Sequence, residues 1–82
     1  MLIIDKLTQR KDLSKSEELI AKFIINLGED IKDYSARSIA KETYTSPATV
    51  LNLCKKIGID GFNRFKEEYL KEMELLIDNL AR

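Results

Sequence analysis

The sequence predicts an all-α domain, a bundle of five or six helices, on three observations. Leu, Ile, Lys and Glu dominate its 82 residues while glycine (3) and proline (1) are scarce, a composition that favours helix. Apolar residues recur at three- and four-residue spacing along most of the chain. Ser14, Ser35 and Ser46 each stand just ahead of such a run, where a helix needs an N-cap. The length allows one domain at most, with a modest core.

The elements follow in order. A short first helix is expected from Leu2 to about Arg10, with Leu2, Ile3 and Leu7 as its buried stripe. Ser14-Lys15-Ser16-Glu17 then has the form of a capping box, in which serine and glutamate satisfy each other's backbone N–H groups. Leu19, Ile20, Phe23, Ile24 and Leu27 continue this second helix until Gly28 stops it. A short helical turn is expected around Glu29–Asp33. Ser35 caps a helix from about Ala36 to Thr43, with Ile39 and Ala40 facing the core. Tyr44-Thr45 breaks the pattern. Ser46-Pro47 restarts it, with proline at the first helical position, where its missing N–H costs nothing. Gly58 ends that helix, Asp60-Gly61 turns the chain, and a long last helix runs from Phe62 toward Ala81.

Two short helices across a tight turn, the second sharply capped, form a helix-turn-helix, the motif spanning about residues 37–56. At one hundred degrees per residue, Val50, Leu53, Cys54 and Ile57 share a stripe about sixty degrees to either side of Val50. Ala48, Thr49, Asn52, Lys55 and Lys56 lie opposite, and Leu51 sits at the boundary. The outward face suits a DNA major groove. Ala48 and Thr49 are small and carry methyl groups that can touch thymine, and Asn52 can pair with adenine through two hydrogen bonds. Asparagine is a poor helix former, so its position mid-helix favours a role. Ser46 at the helix start, Lys55 and Lys56, with Arg37 and Lys41 on the preceding helix, are candidates for phosphate contacts. Each residue also has a plain structural use: Thr49 as a local cap, the lysine pair as a solvated helix end.

Formal net charge is zero, with fourteen basic and fourteen acidic residues, but the charges are segregated. Residues 36–66 carry six basic against two acidic residues, a net of +4, and residues 67–82 two against five, a net of −3. A local basic face matters more for phosphate than the total. There is no histidine, no metal-ligand cluster and no glycine-rich phosphate loop, so an enzyme is not expected, nor is a cofactor or a metal within these residues. Cys54, the one cysteine, falls on the apolar stripe and is expected to be a buried, inert thiol. Neither a secretory signal nor a membrane span is apparent, and a cytoplasmic setting is expected. The rival reading is a helical protein–protein interaction or dimerisation module without DNA binding.

The stretch from Ser46-Pro47-Ala48-Thr49 through Lys55-Lys56-Ile57-Gly58 to Gly61-Phe62 resembles the N-terminal domain of RpiR-type transcriptional regulators. Leu13-Ser14 with Ser16-Glu17 and Ile20-Ala21 resembles the family's opening, and Ser38-Ile39-Ala40 its first motif helix. The resemblance implies a homeodomain-like fold over residues 1–77 and a sequence-specific DNA-binding regulator of sugar-phosphate or other carbohydrate metabolism genes. Such regulators carry a second, phosphosugar-binding (SIS) domain, into which residues 78–82 would lead and which would hold the effector site. Asn52 stands where the family has arginine, Leu53 where phenylalanine is common, and Tyr44-Thr45 where Gly-Val is frequent. A non-glycine turn is tolerable there if Tyr44 avoids positive φ. In the last helix Phe62, Phe65, Tyr69, Met73, Leu76 and Leu80 form one apolar line, Leu70 and Ile77 a second. Phe62, Phe65 and Tyr69 are expected in the core. Residues beyond about Glu72 are expected to contact a partner subunit or to lead into the further domain, with a homodimer formed through this helix or that domain. Two recognition helices would then lie about 34 Å apart on DNA.

Overall fold

In a computed structural model the described residues form α1 (Ile3–Gln9), α2 (Lys15–Leu27), a 3-10 helix (Gly28–Asp33), α3 (Ala36–Glu42), α4 (Pro47–Ile57) and α5 (Phe62–Ala81), with no strand among them. The structure describes residues 2–81, with side-chain surroundings as far as Ile77. The expectations for the Leu80 side chain and for residues 78–82 as the lead into a further domain therefore lie outside the described side chains.

The caps fall where the serines predict them. Glu17 N–H donates to Ser14 Oγ at 3.2 Å, and Ser14 N–H donates to Glu17 Oε1 at 2.8 Å, closing the capping box. Ser35 forms the same kind of box with Ser38. Ser46 Oγ accepts from Thr49 N–H at 3.2 Å with Pro47 in the first turn. Gly58 leaves α4 in the left-handed region at φ 97°, a conformation that a β-carbon would penalise.

α3 and α4 pack on each other, α2 lies against α1, α3 and α4, and α5 closes over the 3-10 helix. Ile20, Ile24, Ile31, Ile39, Val50, Leu53 and Phe65 are fully buried where these elements meet. Phe65 stacks between Phe62 and Tyr69, ring centroids 6.2 and 5.9 Å away. Tyr69 is buried as expected, and its hydroxyl has no hydrogen-bond partner among the described residues. Burial, then the neighbouring Glu72 carboxylate, pushes this phenol's pKa up.

Two expectations are corrected, and one condition is not met. Leu2 stands outside α1 as its N-cap and is exposed, so Ile3 and Leu7 alone form the buried stripe. Leu19 is exposed, because the buried face of α2 is centred on Glu17, Ile20, Ala21 and Ile24, with Leu19 well round the helix from it. Tyr44 does adopt positive φ, at 55°.

Two buried carboxylates hold the bundle together. Glu72 on α5 accepts from the N–H groups of Ile3 (2.6 Å) and Ile4 (3.0 Å), the first residues of α1. Leu2 offers α1 no side-chain cap, so a residue nearly seventy positions away supplies it. Glu17 pairs with Lys56 of α4 at 2.7 Å. Burial raises its carboxyl pKa, but hydrogen bonds from Lys56 and from Ser14 outweigh that and leave it below the usual value.

Replacing Glu72 with Gln should destabilise the domain by about 1–2 kcal/mol, since an amide can accept only one of the two N–H groups and brings its own donors toward them. Thermal unfolding should register this as a drop of roughly 4–16 °C, and an unchanged melting temperature would refute the cap. The depressed Glu17 pKa contributes stability above the unfolded value of 4.5, which is lost as pH falls through the folded value. Urea midpoints measured on acidification should therefore fall less steeply in Glu17→Gln than in the native chain.

Candidate nucleic-acid interface

The turn between α3 and α4 is pinned by its own backbone and threonines. Thr43 Oγ1 donates to Ile39 O at 2.8 Å and lies 2.9 Å from Thr45 Oγ1. Thr45 N–H donates to Ala40 O at 2.9 Å and Tyr44 N–H to Lys41 O at 3.3 Å. The angle between the two helices is thus fixed locally as well as by the core.

On α4, Val50, Leu53, Cys54 and Ile57 are all buried, which commits the helix to one orientation. Ala48, Asn52 and Lys55 are exposed together on the opposite face, with Leu51 beside them at 39 % exposure. Asn52 makes no side-chain hydrogen bond among the described residues, so its amide is free to both donate and accept. Thr49 is half-buried, and its hydroxyl lies 2.9 Å from Ser46 Oγ. Thr49 thus takes part in the Ser46 cap through both its N–H and its hydroxyl. Ser46 is exposed at the start of α4, and Arg37 and Lys41 are exposed on α3.

Lys56 is a correction. Expected on a phosphate, it is half-buried and turned inward, its ammonium donating to Glu17 Oε1 at 2.7 Å and to Asp12 O at 3.0 Å. It stands seven residues after Thr49, on the same edge of the helix, and that edge lies against the rest of the fold. Arg10 donates to the Lys56 carbonyl, and Lys6 Nζ donates to Ile57 O at 3.0 Å. Asp12 holds the Arg10 guanidinium at 2.8 and 2.9 Å, and that hydrogen-bonded pair keeps the Asp12 carboxyl down at about 2. Lys66 is likewise turned inward, donating to Tyr34 O at 2.7 Å and lying 5.7 Å above the Phe62 ring. Of the six cations in residues 36–66, Arg37, Lys41, Lys55 and Arg64 are the ones that face solvent.

Burial pushes the Cys54 thiol up to about 11, leaving it protonated and unreactive at neutral pH. Among the described residues no group of side chains has a metal-ligating arrangement, and no helix is long and apolar enough to cross a membrane. Sequence reasoning did not single out Tyr44, which stands in the motif's turn at 97 % exposure.

The profile of the helix-turn-helix domain, rpiR family, matches residues 1–74. An HTH-type transcriptional regulator of Haemophilus influenzae is 35 % identical over 63 residues, which cover 77 % of this chain and 22 % of that protein. The chain thus spans about a fifth of that relative's length. No solved structure matches. With the motif formed, its turn fixed and the profile covering nearly all of the fold, the chain belongs to the rpiR family of helix-turn-helix domains, which are DNA-binding domains and not enzymes.

Proposed function

We propose that this domain reads double-stranded operator DNA for a transcriptional regulator, with α4 as the recognition helix in the major groove. The observation that carries the reading is the bare face of α4: Ala48, Asn52 and Lys55 exposed together, opposite a stripe buried completely. In this reading Ala48, Thr49 and Asn52 meet base edges, and Ser46, Lys55, Arg37 and Lys41 take phosphates. The relative's description as a transcriptional regulator supports the same role.

The family supports finer assignments. The regulated genes would belong to carbohydrate metabolism, and a phosphosugar effector would bind a further domain. A homodimer would form through α5 or that domain, in the cytoplasm. Leu75 and Ile77, exposed on α5 at 64 % and 48 %, are the apolar residues such a contact would cover.

Selection of bound duplexes from random DNA, followed by titration in rising salt, tests the central claim. The domain should enrich a defined sequence and bind it in a salt-sensitive way. On that duplex Asn52→Ala should cost about 1–3 kcal/mol and relax preference at one position. Lys55→Ala should weaken binding to every sequence and lower the salt slope by about one. Lys56→Met should lower the melting temperature and leave the salt slope unchanged. A slope lowered equally by both lysine changes would mean that Lys56 leaves Glu17 for a phosphate when DNA binds.

A further inference from the structure

Tyr44 combines two costs with no return inside the fold. Its backbone sits at φ 55°, where a residue with a β-carbon is strained. Its side chain is 97 % exposed and makes no hydrogen bond among the described residues. Glycine would occupy the same turn without strain. Nothing in the packing holds a tyrosine here.

The position is not loose. The turn is closed on both sides by the Tyr44 N–H to Lys41 O and Thr45 N–H to Ala40 O bonds, and the Thr43–Thr45 hydroxyl contact lies across its base. Two residues later Ser46 caps α4, and three residues earlier Lys41 is exposed. The phenol is therefore an exposed group on a hydrogen-bonded turn that leads directly into the recognition helix. A strained residue held by its surroundings is the kind that function retains.

Resting on the reading that α4 binds duplex DNA, we propose that Tyr44 is a DNA-contact residue whose phenolic hydroxyl donates to a backbone phosphate beside the groove that α4 enters. A tyrosine hydroxyl is a neutral donor, so it contributes affinity without releasing a counterion. A phosphate contact fixes position and carries no base preference. The strain tolerated in the free domain is thus offset on DNA.

The test measures duplex affinity and thermal stability together for the native chain, Tyr44→Gly and Tyr44→Phe. Tyr44→Gly should melt higher, because the left-handed strain is removed. Both variants should bind roughly 10- to 150-fold more weakly, on the selected and on unrelated duplexes alike, as the loss of one hydrogen bond to a charged group predicts. The salt slope should stay at the native value, which separates this contact from that of Lys55. Tyr44→Gly binding as tightly as the native chain would overturn the proposal while leaving α4 as the reading helix. A native chain with no affinity for any duplex would overturn that reading and this one with it. Weaker binding by Tyr44→Gly with native binding by Tyr44→Phe would overturn the hydroxyl contact.

Discussion

α4 has to be the centre of the core and a free surface at once. Four of its side chains, Val50, Leu53, Cys54 and Ile57, are buried to 2 % exposure or less. At roughly 1.5–3 kcal/mol for each large aliphatic residue, that stripe outweighs any single cap or surface ion pair. It therefore sets how α4 rolls about its axis. Once the roll is set, Ala48, Asn52 and Lys55 have only solvent to face. The exposed face is a consequence of the packing, and the same helix could not present it if the stripe were wider.

Roll alone does not hold a helix of 11 residues in place; its end must be tied as well. The last carbonyls of α4 have no partners within the helix. Lys6 and Arg10 donate to those of Ile57 and Lys56, and the Lys56 ammonium reaches back to Glu17 and Asp12. Cations at a helix C-terminus also suit its dipole. The chain's zero net charge is compatible with a phosphate-facing surface because its charges are segregated: residues 36–66 carry a net +4, and Arg37, Lys41, Lys55 and Arg64 among them face solvent.

Local signals made most of this legible in the sequence. Ser14, Ser35 and Ser46 announced their helices, since a cap acts over three residues and leaves a three-residue signature. The α4 stripe was equally plain, because each member is buried by the same roll. What stayed hidden depended on distant partners. Glu72 lies in an acidic run that reads as a solvated face, and only the folded chain brings it to the start of α1. Glu17 was visible as a cap but not as the buried half of an ion pair, because Lys56 is 39 residues away. Leu19 misled in the other direction: its size and spacing match a core position, yet small Ala21 and charged Glu17 occupy the buried face. The backbone of Tyr44 was left open by the sequence, because propensity argues against a tyrosine at positive φ and gives no sign of where one is held.

The departure at Asn52 acquires a physical meaning beside Ala48. The two residues are four apart, so they lie one above the other on the bare face. Asparagine is short, and in the proposed reading its amide reaches a base edge only if the helix sits deep in the groove. A bulky residue one turn earlier would hold the helix away. Ala48 removes that obstacle, and Lys55 is long enough to reach outward to the backbone from the same face. An arginine at position 52 would have the reach to work from a shallower seat. In that reading Ala48 and Asn52 would act as a pair, the small residue setting the depth that the short amide requires, and the base preference there would depend on how closely the stripe and the clamp allow α4 to approach.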